Sequence, residues 1–564
     1  MAGTVADFLV GALEQVGVRQ IFGLIGDSLN PLGNAVRHSS IEWMGVRHEE
    51  GAALAAAGQA KLTGQLAVCC GTTGPGSTHL VAGLYEASRD HAPVLAISGD
   101  MARQNLGTDY FQTTKPDLLF RDVSLYTETL VDPAQAAKVI HQAIAAAYGG
   151  RGVAHLTVPM DVMAAALKGE PLSPATLRPR GETAPPEGDL AAIARLIDQA
   201  KTVAIMFGAG CHGAADELRA LADWLKAPLI HTVKGKDVLP HDEPHNLGGI
   251  GMIGTRPSYL AARRSDLLLM VGTDYPYSEF LRDDGKVVQI DERAEVLGRR
   301  VPTAWAAQGS ARPALRRLLQ LTQAKSDTKF LDWAVHERAG WDRMLDRQAD
   351  PKRSVGKIHP QAVARMVGDL ADPDAVFVFD VGLNTLWSAN WIRQNGSQRI
   401  IGSFNNAGVG TALGQANGIQ ALDRSRQVIA LCGDGGFNML MGEFMTAVQH
   451  ELPVKVVIYN NSALGLITLE AEQMAMPAFH KAIEFPNPDF AALARACGAH
   501  GFTASRPEEL GDALQQALAV KGPAIVDAVV AADELPNLPH VELEIIEKFG
   551  IAKVKEAMLH FTGG

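Results

Sequence analysis

Cysteine is scarce in this chain, with five residues in 564. Because their number is odd and they lack the paired spacing of a metal site, we expect a reducing compartment and no disulfide framework. No uncharged apolar run reaches the ~20 residues that a membrane-spanning helix needs. The N-terminal segment MAGTVADFLVGALEQVG also lacks the basic start of a signal peptide. These absences predict a cytoplasmic protein.

An excess of basic residues is absent as well. The chain has 51 Lys and Arg against 62 Asp and Glu, with a formal net charge of −11. This balance argues against a general nucleic-acid binder. Hydrophobic residues make up 47% and charged residues 20% of the chain, which is typical of a folded globular protein. At ~100–200 residues per domain, the length predicts several domains.

Two polar segments divide the chain into three blocks of similar size. Segment 168–189, KGEPLSPATLRPRGETAPPEGD, is rich in proline and charge, and segment 345–359 is the polar run LDRQADPKRSVGKIH. Such segments are typical of linkers between domains. The predicted units are 1–170, 190–340 and 355–535, followed by a C-terminal tail at 536–564.

Each block alternates apolar runs with helical patterns. The apolar runs include LAVCC and PVLAIS in the first block, TVAIMFGAG and DLLLMVGTD in the second, and AVFVFDVG, QVIALCGDG and VKVVIYNN in the third. Continuous apolar strands that alternate with helices are typical of parallel sheets covered on both faces. We therefore expect three consecutive doubly wound α/β domains, with ligands bound at the carboxyl ends of the strands.

The most specific motif lies in the third block. In QVIALCGDGGFNMLMGEFMTAVQHE, a predicted strand is followed by a glycine turn and a helix, so Gly435 and Gly436 present backbone N–H groups that suit a phosphate. Asp434 in that turn would repel a phosphate unless a cation lay between them. The next strand ends in Asn460 and Asn461, and the oxygens of Asp434 and Asn461 are ligands that Mg²⁺ prefers.

Each of these motifs alone is explained equally well by a structural turn. Their combination, with 24 residues between GDG and NN inside one βαβ unit, favours a metal site. This spacing resembles the fingerprint of thiamine diphosphate enzymes. The resemblance implies that Asp434, Asn461 and the carbonyl group of Ala463 bind the metal.

The same resemblance extends to two upstream loops. The loop FDVGLNT corresponds to the segment that holds diphosphate oxygens in this family, and SFNNAGVG corresponds to the segment under the bent cofactor. The residues implied are Gly382, Asn384, Thr385 and Val409. Valine is smaller than the methionine, leucine or isoleucine that relatives carry at the last of these positions.

The first block supplies the acid that the resemblance requires. In VRHEEGAALAAAGQAKLTG, Glu49 rather than Glu50 corresponds to the carboxyl group that hydrogen-bonds the aminopyrimidine ring of the cofactor. Without the resemblance, a glutamate in the first turn of a helix is simply a favourable dipole partner. The resemblance also implies that Gly74 lines the cofactor pocket, and that Phe111 and Gln112 contact the cofactor and the bound substrate.

The middle block contains a candidate dinucleotide site. FGAGCHG places Gly208, Gly210 and Gly213 at G-x-G-x-x-G spacing between a predicted strand and a helix. Glycine-rich loops at other strand ends and an acidic residue that could hold an adenosine ribose accompany this motif. These residues are Gly251, Thr273 and Asp291. The alternative is a spacer domain that has lost its nucleotide.

From about residue 4 to about residue 550, the chain is similar to the bacterial pyruvate oxidases that pass electrons to quinone. The resemblance implies a pyrimidine-binding, an FAD-binding and a diphosphate-binding domain, with thiamine diphosphate, Mg²⁺ and FAD as cofactors. It implies a homodimer or homotetramer, with thiamine diphosphate between subunits. The implied reaction is oxidative decarboxylation of pyruvate to acetate and CO₂ through a hydroxyethyl intermediate, with electrons passing through FAD to a quinone or another acceptor.

Two departures from this pattern leave other functions open. Leu466 stands where the pyruvate oxidases carry a phenylalanine linked with the electron path, whereas Glu470 matches. In the tail, three lysines accompany four glutamates, which is a poor composition for a membrane-surface helix, so we expect weak or no membrane association. The alternatives are an acetolactate synthase-like carboligase, a flavin-free 2-keto acid decarboxylase, and a catalytically silent subunit that binds thiamine diphosphate.

Overall fold

The computed structural model describes residues 3–167, 177, 181–353, 356–537, 548, 550–552 and 555. Within these residues, three six-stranded sheets follow one another along the chain, and every strand pairing in them is parallel. An antiparallel pair, Gly3–Thr4 with Ala166–Leu167, joins the two ends of the first unit. The predicted fold class of three consecutive α/β units with parallel sheets is confirmed.

The N-terminal sheet is built from apolar strands covered on both faces. Its two central strands contain only buried residues, as continuous apolar runs require. In spatial order, its strands are Glu42–Gly45, Gln20–Gly23, Ala67–Gly71, Val94–Asp100, Val153–Pro159 and Tyr126–Thr129. Its helices are Val5–Gln15, Asn30–Arg37, Glu49–Thr63, Pro75–Arg89, Pro116–Leu119, Ala136–Gly150 and Met160–Met163.

The middle sheet has the same construction. In spatial order, its strands are Asn246–Gly249, Leu229–His231, Val203–Phe207, Leu267–Val271, Val287–Asp291 and Trp305–Gln308. Its helices are Glu187–Gln199, Ala215–Leu225, Arg256–Arg264 and Ala311–Leu321. Because the three apolar central strands are buried on both faces, this unit forms a core of its own.

The C-terminal sheet completes the series. In spatial order, its strands are Arg399–Gly402, Val376–Phe379, Val428–Gly433, Lys455–Asn460, Ala524–Val529 and His500–Ala504. Its helices are Pro360–Leu370, Leu383–Trp391, Ala412–Leu422, Asp434–Met439, Phe444–Gln449, Gly465–Gln473, His480–Ile483, Phe490–Ala496 and Pro507–Ala519.

The connections differ from simple polar linkers. Helix Lys329–Ala349 runs across the predicted boundary at 340 and into segment 345–359, because Leu331, Ala334 and Leu345 are buried along one of its faces. Most of the predicted linker 168–189 lies outside the described residues, and helix Glu187–Gln199 begins within its last part. The exact domain boundaries stay a prediction.

Only a small part of the C-terminal tail belongs to the described residues. In that part, Ala552 is buried, and Lys555 Nζ donates a hydrogen bond of 2.9 Å to the carbonyl oxygen of Ala475. Across the described ranges, no helix combines the length and the apolar composition that crossing a bilayer requires.

In each sheet the strand order reverses between the strand that comes first in the chain and a neighbouring strand, and sheets of this kind bind ligands in the crevice at the carboxyl ends of two such strands. In the N-terminal sheet these strands are Gln20–Gly23 and Ala67–Gly71, and in the middle sheet they are Val203–Phe207 and Leu267–Val271. In the C-terminal sheet they are Val376–Phe379 and Val428–Gly433. These three crevices are therefore the candidate ligand sites of the fold.

The N- and C-terminal units share one continuous hydrophobic core. The alanine-rich helix Glu49–Thr63 contacts helix Ala412–Leu422 so closely that glycine is needed on both sides. A Cβ atom on Gly418 would lie 2.0 Å from the carbonyl oxygen of Ala55, and one on Gly58 would lie 2.5 Å from that of Gln415. This close packing sets the position of the N-terminal unit against the C-terminal unit.

We expect Gly418→Ala to destabilise the protein by about 1–3 kcal/mol, because overpacking a close contact costs that much. Gly188→Ala is the matched control, since the added Cβ atom meets open space there and alanine is the better helix former. Thermal unfolding of both variants measures the difference. A Gly418→Ala variant that unfolds at the same temperature as the wild type would contradict the close helix contact.

Candidate functional site

The C-terminal crevice brings the predicted metal ligands together. Asp434 directly follows the strand Val428–Gly433, and its Oδ2 atom accepts hydrogen bonds from the backbone N–H groups of Asn461 at 3.1 Å and Ser462 at 2.5 Å. Asn461 Oδ1 in turn accepts the N–H of Ala463 at 3.2 Å. Burial raises the pKa of Asp434, although these hydrogen bonds oppose the shift. A cation here would compensate a buried carboxylate beside oxygen ligands.

A further side chain, Asn487, completes this cluster. Its Nδ2 atom donates to Asp434 Oδ2 at 2.8 Å and to Asn460 Oδ1 at 2.9 Å. Asn487 therefore orients both the carboxylate and the end of the neighbouring strand. Sequence reasoning missed it, since nothing in the local sequence FPNPD indicates a contact with a motif 53 residues away.

The predicted diphosphate loop begins at Gly382, which has a φ angle of +142° that only glycine adopts easily. Helix Leu383–Trp391 starts there without a side-chain cap, so its first N–H groups suit an anion. Asn384 Nδ2 donates to the carbonyl oxygens of Asp380 and Leu431, each at 3.0 Å, and Thr385 Oγ1 donates to the same Asp380 carbonyl. These side chains hold the loop, and the helix start is left as its anion-binding part.

Asp380 connects this loop to the rest of the crevice. Its side chain is 1% exposed, and its Oδ1 atom accepts the N–H groups of Val381 and Gly410 at 2.9 Å and of Thr411 at 3.2 Å. Its Oδ2 atom has no hydrogen-bond partner. Burial raises the pKa of Asp380 to about 7 in spite of the three N–H donors.

The loop that carries Val409 is tied to the N-terminal unit. Glu86 Oε1 accepts hydrogen bonds from Ser403 Oγ at 2.5 Å and Asn406 Nδ2 at 2.8 Å. Ser403 Oγ also accepts the N–H of Gly408 at 2.8 Å. Val409 itself is 39% exposed at the crevice rim, as expected for a residue that would contact a bound cofactor.

The N-terminal crevice contains Glu49. It is the first residue of helix Glu49–Thr63 and is 7% exposed. Its Oε2 atom lies 3.0 Å from His79 Nδ1, and the rings of His79 and His48 stack with centroids 4.4 Å apart. A Cβ atom on Gly76 would lie 3.1 Å from Glu49 Oε1, so the glycine leaves room beside that oxygen.

Glu443 links this acid to the C-terminal unit. The side chain is 1% exposed, and its Oε1 atom accepts the N–H groups of Arg47 at 3.0 Å and His48 at 2.8 Å. Its Oε2 atom accepts Thr446 Oγ1 at 2.7 Å. Burial raises the pKa of Glu443, and these donors oppose the shift. The backbone that leads into Glu49 is therefore held by a residue nearly 400 positions away.

The predicted substrate contacts lie on exposed segments. Gln112 has a φ angle of +61°, and its carbonyl oxygen lies 2.7 Å from the position of a Cβ atom on Gly74. Phe111 beside it is 76% exposed. In the C-terminal unit, Leu466 is half-buried and Glu470 exposed, one turn apart on helix Gly465–Gln473. The two pairs stand on different units.

The middle crevice brings the predicted nucleotide loops together. A Cβ atom on Gly208 would lie 2.7 Å from Thr273 Cβ, and one on Gly210 would lie 2.7 Å from Gly272 Cα, so glycine allows the two loops at the switch point to touch. Asp291 ends the next strand, is 6% exposed, and accepts the N–H of Arg293 at 3.0 Å. Gly213 and Gly251 have positive φ angles of +81° and +92°.

Comparisons with known proteins match a family model to each of the three units. Residues 3–119 match the family model "Thiamine pyrophosphate enzyme, N-terminal TPP binding domain", residues 190–318 match its central domain, and residues 380–528 match its C-terminal TPP binding domain. A putative thiamine pyrophosphate-containing protein, YdaP, from Bacillus subtilis is 37% identical over 95% of this chain and 93% of its own length. The chain belongs to the thiamine pyrophosphate enzyme family.

Within this family, relatives that are named for different reactions have the same sequence identity to this chain. A pyruvate oxidase from Lactiplantibacillus plantarum is 32% identical over 93% of this chain and 88% of its own length. An acetolactate synthase large subunit from Parasynechococcus marenigrum is 32% identical over 93% of this chain and 87% of its own length. Membership of the thiamine pyrophosphate enzyme family therefore does not by itself define the reaction.

The crevices of this thiamine pyrophosphate enzyme also contain residues that sequence reasoning did not single out. They are His79, Asp380, Glu443 and Asn487. His79 stands in the segment GTTGPGSTH and Asp380 in the segment FDVGLNT, so position within a motif was an available signal for both. The contacts of the other two depend on distant segments.

The buried Asp380 predicts a pH-dependent stability. In the unfolded chain this carboxyl group ionises near its ordinary pKa of 3.8, whereas in the folded protein burial raises the pKa to about 7. The folded state binds more protons across this interval, so the contribution of Asp380 to the free energy of unfolding falls as the pH rises from about 4 to about 7. Between about pH 4 and about pH 7, the free energy of unfolding of Asp380→Asn should therefore fall by less than that of the wild type, with a difference on the order of 1–4 kcal/mol.

Denaturant unfolding at a series of pH values measures this effect. The exposed Asp512 lies in the same unit, and Asp512→Asn serves as the control that should follow the wild-type pH dependence. Parallel curves for Asp380→Asn and the wild type would refute a raised pKa at this position.

Proposed function

We propose that this enzyme oxidises pyruvate to acetate and CO₂, with thiamine diphosphate, Mg²⁺ and FAD as cofactors and a quinone or another acceptor for the electrons. The observation that carries the proposal is that each crevice offers the groups that one part of this reaction needs. Glu49 stands in the first, a dinucleotide cradle in the second, and oxygen ligands beside a helix start in the third. Full-length similarity to a pyruvate oxidase supports it.

The C-terminal crevice fits Mg²⁺ and a diphosphate. Asp434, Asn461 and the carbonyl group of Ala463 would hold the metal, and the uncapped start of helix Leu383–Trp391 would hold diphosphate oxygens. Gly435 and Gly436 leave space that side chains would fill, since a Cβ atom on Gly436 would lie 2.3 Å from Asp380 Oδ2.

The middle crevice fits a dinucleotide. The glycines at 208 and 210 lie at the switch point of the sheet, where such ligands bind. Thr273 and the carboxylate of Asp291 end the two strands on the other side of that point. We assign FAD to this crevice, and the roles of Gly213 and Gly251 in shaping its loops belong to the same proposal.

When bound, thiamine diphosphate supplies the nucleophilic carbon that attacks the 2-keto group, and FAD supplies the acceptor for two electrons. Glu49 would hydrogen-bond a nitrogen atom of the pyrimidine ring and move a proton at that atom. Val409 would support the cofactor from below. Phe111 and Gln112 would cover the substrate, while Leu466 and Glu470 would shape the opposite wall.

We propose that the active enzyme is a homodimer or a homotetramer. Large apolar side chains are exposed on the segments that flank the metal ligands and on the loop that follows the N-terminal crevice. They are Phe111, Met439, Met441, Ile467, Met474 and Phe479, with exposed fractions of 43–76%. Exposed apolar area next to a site is typical of a surface that a partner covers, and a second copy would bring its own N-terminal crevice over these residues.

The variant Glu49→Gln should fold normally and lose about 10²–10⁴-fold in turnover, the usual contribution of a general acid–base group. Glutamine keeps a hydrogen bond to the pyrimidine ring and cannot move the proton. Glu50→Gln is the matched control, because Glu50 is the next residue of the same helix and is half-buried. Pyruvate decarboxylation within a few-fold of the wild type in Glu49→Gln would show that another group is the acid.

Anaerobic addition of pyruvate to the purified protein tests the reaction itself. Pyruvate, water and oxidised FAD should give acetate, CO₂ and reduced FAD, so we expect the flavin absorbance to bleach as acetate forms. Acetolactate formation with the flavin still oxidised would instead indicate a carboligase. CO₂ release from a colourless protein would indicate a flavin-free decarboxylase, and no CO₂ at all would indicate a catalytically silent subunit.

A further inference from the structure

The side chain of Asp380 spans the switch point of the C-terminal sheet. It follows the strand Val376–Phe379, and its Oδ2 atom is directed at Gly436 in helix Asp434–Met439, where a Cβ atom would lie 2.3 Å away. Its Oδ1 atom meanwhile binds the N–H groups of Gly410 and Thr411. One carboxyl group therefore contacts three segments around the proposed diphosphate position: the diphosphate loop, the Val409 loop and the start of helix Asp434–Met439.

The surroundings of Asp380 favour its uncharged form. Burial is the main cause that raises the pKa of Asp380, and the carboxylate of Glu86 in the N-terminal unit raises it further. Burial raises the pKa of the Cys432 thiol on the neighbouring strand, and the carboxyl group of Asp380 raises it further. The Oδ2 atom has no hydrogen-bond partner, and Oγ1 of Thr411, whose N–H group binds Asp380 Oδ1, is also buried without one. A carboxylate that served stability alone would be costly in this position.

We propose that Asp380 is the positioning residue that holds the Val409 loop at a set distance from the diphosphate loop, through the hydrogen bonds that its Oδ1 atom accepts from both loops. Its Oδ1 atom fixes Gly410, which follows the residue expected beneath the cofactor, and its Oδ2 atom rests against the glycine turn. The Val409 loop and the diphosphate loop then keep their separation before thiamine diphosphate binds. This inference rests on the proposed thiamine diphosphate site in the C-terminal crevice.

The role predicts that shape and the hydrogen-bond acceptor matter, whereas negative charge does not. Asparagine keeps the acceptor for the three N–H groups, has nearly the same shape and is neutral. Alanine removes the acceptor and the contact with Gly436. We therefore expect Asp380→Asn to retain the affinity for thiamine diphosphate within a few-fold, and Asp380→Ala to lose about 10–100-fold, as loss of an outer-shell partner does at metal sites.

Calorimetric titration with thiamine diphosphate at saturating Mg²⁺ measures these affinities without relying on turnover. Asp512→Ala, at an exposed position of the same unit, is the control that should bind as the wild type does. Flavin content, far-ultraviolet circular dichroism and thermal unfolding of each variant, freed of thiamine diphosphate alone, establish that it is folded. If Asp380→Ala does not fold, Asp380→Ser takes its place, because serine is too short to reach Gly410 and should show the same loss.

The outcomes separate this inference from the proposed function. Wild-type protein that does not bind thiamine diphosphate would overturn both. Wild-type binding together with an equally tight Asp380→Ala or Asp380→Ser variant would overturn the inference alone, even if that variant melted at a lower temperature. Equal losses in Asp380→Asn and Asp380→Ala would also overturn it, because the negative charge would then be the property that matters.

Discussion

A buried charge cluster around Lys61, Glu86 and Asp90 holds the three units in their relative positions. Lys61 Nζ lies 3.0 Å from Glu86 Oε2 and 2.7 Å from Asp90 Oδ2, and it donates to the carbonyl oxygen of Gly402 at 3.1 Å. Burial opposes the charge on Lys61, yet the carboxylates of Asp90 and Glu86 prevail and raise its pKa. Because loss of one partner would leave an unpaired buried charge, the units cannot shift without a large cost.

The cluster reaches the functional crevices through its outer partners. Burial works against the charge of Asp90, but Lys234 of the middle unit and Lys61 lower its pKa below the ordinary value, with Lys234 Nζ at 2.8 Å. Glu86 holds the loop that leads to Val409. The same carboxylates that join the units thus also set the wall of the proposed cofactor site.

The two named relatives at 32% identity show how little of the chemistry the crevices alone specify. An acid in the N-terminal unit and oxygen ligands in the C-terminal unit suit both an oxidase and a carboligase. Among the residues predicted to contact or surround the substrate, Phe111 and Glu470 are exposed and Leu466 is half-buried. The part that these residues and the middle crevice play in the choice of reaction stays a prediction.

Much of this architecture follows from the sequence itself. Apolar runs of strand length alternating with helices are stable only as parallel sheets covered on both faces, and Asp434 and Asn461 end neighbouring strands of one such sheet, so their approach was predictable. Helix Lys329–Ala349 was not predicted, and its last residues lie in a segment interpreted as a linker, since polar composition does not report which face tertiary packing buries. The contacts of Asn487 with Asp434, Glu443 with Arg47, and Glu86 with Ser403 span 53, 396 and 317 residues. Local sequence determines strands, helices and turns because those depend on neighbours in the chain. These hydrogen bonds were decided only by the tertiary structure, which brings distant polar groups together and pairs those that it buries.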